Sequence, residues 1–267
     1  MKLGFEIRCA SSLLAVVAVG SLALARPARA DWPACGRGIA VAPGSQQHSA
    51  IATDGAGGAI VVWQDQRGPS VNIFARRVLA TGEPDAAWPV EGRALLTDPA
   101  ALGTDVEQDS PAIVSDGRGG AIVAWQDNRS PLTGTDLYAQ HVLANGVVDP
   151  AWPANGLAVC AAPGTQNSFV MVPDGTSGAI LAWLDGRDGP GLLDVFAGHA
   201  LATGVVDPRW PVNGAPVCTA AGAQQFLAIT ATGSGAIITW QDDRSPLSQT
   251  DIYAQRMLNS GDRKSVV

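Results

Sequence analysis

The stretch GGAIVAWQDNRSP, residues 119–131, returns at residues 234–246 as SGAIITWQDDRSP. Its tryptophan belongs to a column at spacings of 62, 58 and 57 residues, formed by Trp63, Trp125, Trp183 and Trp240. In a second column each tryptophan precedes a proline, and its members are Trp32, Trp88, Trp152 and Trp210. All 8 tryptophans fall in these two columns, so the chain contains four copies of one unit.

Each unit predicts four antiparallel strands. In the second unit SPAIVSD and GGAIVAWQD are strand-like runs joined by an Asp-Gly turn, DLYAQHVLANG is a third run and GLAVC a short fourth. Short strands in units of about 58 residues are typical of β-propeller blades. The predicted fold class is therefore all-β, a β-propeller whose four blades belong to a larger ring. A row of β-sandwich domains or a β-solenoid is the alternative.

The predicted propeller occupies residues 31–261, with units at about 31–86, 87–150, 151–208 and 209–261. Four blades of a larger ring would leave two open sheet edges and one exposed apolar blade face. Residues 262–267, DRKSVV, break the repeat pattern and are interpreted as a non-native tail of a truncated gene.

The first thirty residues have the order of a secretory signal peptide. Lys2 and Arg8 precede an apolar run at residues 12–25, and the small-residue sequence ARA ends at Ala30. The apolar run is shorter than the roughly 20 residues of a spanning helix, so cleavage is favoured over a membrane anchor. The sequence therefore predicts a secreted, periplasmic or cell-surface protein with no membrane span after cleavage.

The charge balance argues against nucleic acid as a partner. Without residues 1–30 the chain keeps 13 basic and 23 acidic residues, a net charge of about −10. Non-specific nucleic-acid affinity comes mainly from basic side chains that neutralise phosphates. Three cysteines remain, and we expect at most one disulfide, between Cys160 and Cys218, with Cys35 unpaired.

The Trp-Gln-Asp-x-Arg motif is predicted to be a recurring structural part. A catalytic centre brings different residues to one point, whereas a repeated residue is spread around the ring. The arginine can hold the aspartate of its own loop through two hydrogen bonds, and the tryptophan can pack on the next blade. The alternative is a ring of carboxylates that binds calcium or another ligand; no other cofactor is predicted. The columns are Trp63, Asp65, Arg67, Trp125, Asp127, Arg129, Trp183, Asp185, Arg187, Trp240, Asp242 and Arg244.

Three further columns accompany this motif. Asn72, Asp136, Asp194 and Asp251 open the next strand, and Phe74, Tyr138, Phe196 and Tyr253 follow two places later. The third strand carries Arg77, His141, His199 and Arg256, for which solvent-facing positions are favoured over a basic band for anionic sugars. His48 is expected at the surface, and Asp105 with Glu107 is expected to solvate a loop rather than form an acid–base pair.

The turn before each Trp-Pro, as in LATGVVDPRW, resembles the position of the Asp-box turn in sialidase-type β-propellers. The GGAIVAWQD and DIYAQRM segments resemble repetitive secreted bacterial proteins, mostly of unassigned function. The Ser-x-Asp-x-Gly-x-Thr-Trp form of the Asp box is absent from the sequence, as is the sialidase set of arginines, so the resemblance implies fold and export rather than sialidase activity.

Two function classes follow. The favoured one is an exported, non-catalytic scaffold or binding module for carbohydrate or protein. The alternative is part of a glycan-cleaving propeller enzyme, sialidase-like or lyase-type, whose catalytic residues lie in missing sequence. No catalytic or metal-binding motif is recognisable in the chain, which favours the module over the enzyme.

Overall fold

The computed structural model describes residues 32–96, 106–189, 191, 193–245 and 249–264. The regular elements of these residues are all strands, which form four antiparallel sheets. They are β1 (Gln46–Thr53), β2 (Ala59–Asp65), β3 (Asn72–Val78), β4 (Arg93–Ala94), β5 (Gln108–Ser115), β6 (Ala121–Asp127), β7 (Asp136–Val142), β8 (Leu157–Cys160), β9 (Gln166–Pro173), β10 (Ala179–Asp185), β11 (Asp194–Ala200), β12 (Ala215–Cys218), β13 (Gln224–Thr232), β14 (Gly235–Asp242) and β15 (Asp251–Leu258).

The strands of each sheet follow one another in chain order. The first, second and third sheets contain four strands each, β1–β4, β5–β8 and β9–β12, and the fourth contains β13–β15 within the described residues. The all-β propeller predicted from the repeat is confirmed. The Trp-Pro turns at Trp88, Trp152 and Trp210 lie between the third and fourth strands of their sheets, so repeat boundaries drawn at these turns fall inside a sheet.

The sheets pack face to face, which explains why the strands are apolar on both faces. Every side chain of β10 is buried, and six of the seven in β6 are buried. Three apolar clusters fill the spaces between the first and second, second and third, and third and fourth sheets. Burial on both faces replaces the alternating pattern of a strand that faces water on one side.

The first strand of each sheet, here called the inner strand, contacts its counterpart in the next sheet. β1 packs beside β5, β5 beside β9 and β9 beside β13. The second strand carries the Trp-Gln-Asp-x-Arg motif, and its last residue pairs with the first residue of the inner strand, as Gln46 does with Asp65. The motif and the starts of the inner strands therefore share one face of the molecule, and the Asp-Gly turns lie at the opposite face.

Some predictions lie outside the described residues. These are the signal peptide at residues 1–30, Asp105, and residues 265–267 of the predicted non-native tail. Residues 262–264 continue the repeat geometry, because Met257 bridges Arg263 as Val142 bridges Val148 in the second unit. The part of the chain that the structure describes has no helix long and apolar enough to cross a membrane.

Candidate functional site

The Trp-Gln-Asp-x-Arg motif forms a closed hydrogen-bonded cluster in the second unit. The buried Asp127 carboxylate accepts hydrogen bonds from Trp125 Nε1 at 2.9 Å and from Arg129 Nε at 2.8 Å. Arg129 Cζ lies 3.7 Å from the centroid of the Tyr138 ring. Its Nη1 donates to the Asn155 carbonyl oxygen at 2.6 Å. One arginine thus ties the end of the second strand to the third strand and to the turn before the fourth.

The other three units repeat this cluster. The distance from the arginine Nε to the aspartate is 2.7 Å for Arg67 and 2.8 Å for Arg187 and Arg244. Each of these guanidinium groups also stacks on the aromatic ring of its unit. All four motif tryptophans are buried, and Trp125, Trp183 and Trp240 lie between sheets; Trp125, for example, packs among residues of the first sheet. The cluster is an internal part of every blade.

Two aspartates of this cluster, Asp65 and Asp242, are held as anions. The hydrogen bond from Arg244 outweighs burial and keeps the pKa of Asp242 well below its usual range. At Asp65, burial works to raise the pKa, but hydrogen bonds from Arg67 and Trp63 prevail and lower it. Both carboxylate oxygens already accept N–H donors, and the described residues contain no group of three or more His, Cys, Asp or Glu side chains placed to hold a metal ion.

Asp136, at the start of the third strand, has the opposite electrostatic character. Its side chain is fully buried; Oδ2 accepts a hydrogen bond from Thr133 Oγ1 at 2.8 Å, and Oδ1 has no partner. Burial raises the pKa of Asp136, and the neighbouring Asp127 carboxylate adds to the rise. The first unit has Asn72 at this position, so the site accommodates a neutral amide.

We expect Asp136→Asn to increase the free energy of unfolding at pH 7. A carboxyl whose pKa is raised on folding opposes folding at pH values where it is ionised in both states. That penalty disappears as the pH falls below the ordinary value of 3.8, where both states are protonated. Urea denaturation at pH 7 and pH 3.5 measures the difference. A gain of the same size at both pH values would contradict the electrostatic cause.

The third-strand column of Arg77, His141, His199 and Arg256 forms a second repeated cluster. His141 is 6% exposed and His199 is 2% exposed, so the expectation that this column faces solvent is wrong for the histidines. His141 lies between two carboxylates, with Nε2 3.0 Å from Asp116 Oδ2 and Nδ1 2.8 Å from Asp149 Oδ2. Both nitrogens can donate only in the imidazolium form. The cluster therefore places the imidazole ring between two acids.

The first and third units contain the same arrangement. Arg77 bridges Asp54, at 2.8 Å, and Asp85, at 3.4 Å. His199 Nε2 and Nδ1 lie 2.9 Å and 3.0 Å from carboxylates of the Asp-Gly turn and of the turn before Trp-Pro. In these three units each column residue contacts two acids, which does not fit the basic band considered as its alternative role.

Two turn acids of the third unit have lowered pKa values. Burial works to raise the pKa of Asp174, but hydrogen bonds from His199 and Thr176 outweigh it and hold that pKa well below its usual range. The hydrogen bond from Arg209, opposed by burial, lowers the pKa of Asp207 to about 2. Both acids are therefore held as anions beside the His199 ring.

The fourth unit departs from this arrangement. Thr232 stands in the turn in place of the aspartate, and Lys264 stands where the second acid lies in the other units. Arg256 instead donates to Ser234 Oγ at 2.9 Å. The contact of the column residue with two acids is therefore a feature of the first three units.

The three cysteines of the described residues are free. Cys160 and Cys218 are buried at the ends of β8 and β12, and Cys35 is exposed. Burial raises the pKa of the Cys160 thiol to about 12. Cys160 and Cys218 share a repeat position in successive sheets, and each lies beside the aspartate of the next motif, Asp185 or Asp242.

The starts of the inner strands carry a feature that sequence reasoning missed. The third residue of each inner strand has a left-handed backbone without being glycine: φ is 49° at His48, 50° at Ser110, 48° at Ser168 and 53° at Phe226. All four side chains are exposed, and a register shift follows in every sheet. Such conformations cost about 1–3 kcal/mol each and concentrate at functional sites.

We call the second and third residues of the inner strands the inner rim. Its members are Gln47, His48, Asp109, Ser110, Asn167, Ser168, Gln225 and Phe226. A glutamine precedes the two rim residues of each inner strand, and its side chain forms a hydrogen bond with nearby backbone. Gln108 Oε1, for example, accepts a hydrogen bond from the Ile73 N–H at 3.1 Å. The sequence signal is this constant glutamine followed by two residues that differ between units: QQH, QDS, QNS and QQF.

The inner rim is chemically varied and partly unsatisfied. Asp109 Oδ1 and Asn167 Oδ1 are buried atoms with no hydrogen-bond partner, on neighbouring inner strands. Phe226 is 71% exposed, and His48 contacts Gln64 through its ring nitrogen. A cavity of about 360 Å³ adjoins His48, with Val61 and Trp63 in its wall. Glu107, just before the second inner strand, is exposed.

No family model and no curated protein matches this sequence. Among solved structures, α-L-arabinanase of Penicillium chrysogenum in complex with arabinobiose matches 80% of this chain and 63% of its own, with a TM-score of 0.50 and 11% identity. The Hadza microbial sialidase Hz136 matches 81% of this chain and 45% of its own, with a TM-score of 0.48 and 11% identity. An endo-arabinase of Bacteroides thetaiotaomicron matches 86% of this chain and 85% of its own, with a TM-score of 0.45 and 9% identity.

The chain spans less than half the length of the sialidase and 63% of the length of the arabinanase. At 11% identity the likeness to the arabinanase shows the fold alone. The fold is a β-propeller.

Proposed function

We propose that the protein is an exported, non-catalytic β-propeller module of the Trp-Gln-Asp-x-Arg repeat type that binds carbohydrate at the inner rim. The observation that carries this proposal is that the rim keeps one strained, exposed backbone in all four units while its side chains differ. Elsewhere in the unit, repeated residues form repeated clusters. A binding surface needs different groups at one place, and the rim supplies them.

The rim side chains suit sugar hydroxyls. Amide, carboxylate, hydroxyl and imidazole groups can donate to and accept from hydroxyl groups, and the exposed Phe226 ring offers an apolar surface for the face of a sugar ring. The unpartnered Asp109 Oδ1 and Asn167 Oδ1 would gain hydrogen bonds from such a ligand. The arabinanase that shares the fold was solved with arabinobiose bound, which supports a carbohydrate rather than a protein ligand.

The rim contains too few acids for the usual hydrolytic pair, which favours binding over hydrolysis. Most glycoside hydrolases use two carboxyl groups that flank the scissile bond. Of the eight rim residues Asp109 alone is an acid, and Glu107 lies just outside the rim on the same strand. The alternative, part of a glycan-cleaving enzyme, would use residues other than the described rim.

We expect Asp109→Ala and Phe226→Ala each to weaken carbohydrate binding by about tenfold or more, because each removes a group aimed at the ligand. Titration calorimetry against a panel of soluble polysaccharides, including arabinan, mannan and sialylated glycans, selects the ligand and then compares the variants. Leu132→Ala is the matched control, because Leu132 is 91% exposed and belongs to the loop between β6 and β7 and not to the rim.

Two outcomes would overturn the proposal. One is that no polysaccharide in the panel binds, or that rim variants bind as tightly as the unaltered protein. The other is release of new reducing ends or unsaturated products during incubation, which would show the enzyme alternative instead.

A further inference from the structure

The third unit has a cavity at the inner rim. The cavity has a volume of about 520 Å³ and lies beside Asn167, the second residue of the third inner strand. This volume is in the range of small-molecule sites, about 300–1,000 Å³. The wall includes Thr165, Asn167, Gly186, Arg187 and Leu193, together with three further glycines. The rim therefore opens into a concave site in this unit.

Gly186 occupies the variable position of the Trp-Gln-Asp-x-Arg motif. The other units have Gln66, Asn128 and Asp243 at this position. In the second unit Asn128 Oδ1 accepts a hydrogen bond from the Glu107 N–H at 2.7 Å. In the fourth unit Asp243 Oδ1 accepts a hydrogen bond from the Ala223 N–H. The side chain at the variable position thus occupies the N–H of the residue before the constant glutamine.

In the third unit the corresponding N–H belongs to Thr165, and none of the described residues accepts a hydrogen bond from it. A Cβ added to Gly186 would lie 3.5 Å from the Thr165 nitrogen, so a side chain there would lie beside that N–H. The φ of Gly186 is not positive, and the backbone therefore does not require a glycine at this position. The glycine leaves both the donor and the space next to it open.

Asn167 supplies an acceptor in the wall of the same cavity. Its Oδ1 atom is buried and has no hydrogen-bond partner in the part of the chain that the structure describes. A hydroxyl group can accept one hydrogen bond and donate another. Of two adjacent sugar hydroxyls, one can accept from the Thr165 N–H and the other can donate to Asn167 Oδ1. Leu193 adds an apolar surface to this donor and acceptor.

The charges around the cavity favour a neutral sugar. The guanidinium of Arg187 is paired with the Asp185 carboxylate at 2.6 Å. Asp188 and Asp194, which bound the glycine-rich loop of the wall, share a hydrogen bond; burial and this hydrogen bond raise the pKa of Asp194. Two carboxyl groups that share one proton keep one negative charge. A sugar carboxylate would bring a second negative charge to this loop and be repelled.

We propose that the cavity of the third unit is the primary sugar subsite of the inner rim, and that it selects a neutral sugar with adjacent hydroxyl groups. This inference rests on the proposed function, because it assigns the sugar contacts to one part of the rim. The Thr165 N–H and Asn167 Oδ1 bind the two hydroxyls, and Leu193 packs against the ring. The inner strands β5 and β13 lie on either side of β9, so adjoining sugars meet Asp109 and Phe226.

Gly186→Asn tests the subsite, because it gives the third unit the residue of the second. The asparagine fills the space beside Thr165 and takes its N–H, as Asn128 takes that of Glu107. We expect the affinity for arabinan or mannan, measured by titration calorimetry, to fall about tenfold or more. Gln66→Asn is the matched control, since it places the same amide at the equivalent exposed position of the first unit and should leave the affinity unchanged.

Two further measurements separate loss of binding from loss of structure. Gly186→Asn should keep the melting temperature of the unaltered protein, because asparagine is the residue of the second unit at this position. The Thr165 amide gives a readout that needs no substitution. In a proton–nitrogen correlation spectrum its resonance should shift when an oligosaccharide of arabinan or mannan is added, whereas that of Gly117, in an Asp-Gly turn at the opposite face, should not.

The outcomes distinguish this inference from the proposed function. If Asp109→Ala and Phe226→Ala weaken binding while Gly186→Asn does not and the Thr165 resonance stays in place, the rim binds carbohydrate elsewhere and the cavity is not its subsite. If polygalacturonate, a polymer of acidic sugars, binds as tightly as the neutral polysaccharides, the selection for a neutral sugar is overturned. If no polysaccharide binds, the proposed function and this inference both fail.

Discussion

Trp125→Ala is expected to lower the free energy of unfolding by about 3–5 kcal/mol. Trp125 is fully buried and packs against Ile60, Val62 and Ile73 of the first sheet, so its removal leaves a cavity between two sheets. The change also removes the Nε1 donor from the buried Asp127, which then loses one of its hydrogen bonds. Urea denaturation at pH 7 measures the loss.

Trp32→Ala is the matched control for this prediction. Trp32 belongs to the other tryptophan column and is 54% exposed, so its replacement should cost about 1 kcal/mol or less. Equal losses for the two variants would contradict the assignment of Trp125 to the packing between sheets.

His141→Ala is expected to destabilise the protein by about 1–3 kcal/mol, because it leaves two carboxyl groups without their hydrogen-bond partner. Asp116 and Asp149 both face His141, and the side chains of His141 and Asp116 are 8% and 4% exposed. Removal of one partner costs more than the net contribution of the hydrogen bond, since the buried acceptor that remains keeps its desolvation penalty.

His141→Arg separates charge from packing. Arg77 holds the same two turn acids in the first unit, so an arginine at position 141 should retain more than half of the stability that alanine loses. Chemical denaturation of both variants at pH 7 decides the matter. If arginine is as harmful as alanine, the column depends on the shape of the imidazole and not on a cation.

The fold could be predicted from the sequence because two tryptophan columns mark the unit and Asp-Gly turns mark its hairpins. The contact between Asp127 and Arg129 could also be predicted, since the two residues are two positions apart in the sequence. The burial on both strand faces followed from runs such as AILAWLD, which lack polar residues on either face.

The prediction that the third-strand column faces solvent was wrong for a physical reason. Taken alone, His141 and His199 look like polar residues on a strand, which usually face water. The missing information is that each meets two acids from turns that are separate in sequence, such as Asp116 and Asp149. A comparison of the four units could have revealed this contact, because both acids are absent together from the fourth unit.

The inner rim was missed because its signal is variation within a repeat. Repeated residues stand out when the four units are aligned, whereas the rim residues after the constant glutamine differ between QQH, QDS, QNS and QQF. The left-handed backbone at Phe226 and Ser110 cannot be read from residue types, since glycine is the usual indicator of positive φ.

The central claim is that the repeated residues build the fold while the varied inner rim binds carbohydrate. A crystal structure of the protein soaked with an oligosaccharide of the polysaccharide that binds most tightly tests this most directly. We expect the sugar to lie at the rim, within hydrogen-bond distance of Asp109 or Asn167 and against the ring of Phe226. A sugar held instead by the Trp-Asp-Arg clusters, or at the face of the Asp-Gly turns, would contradict the account.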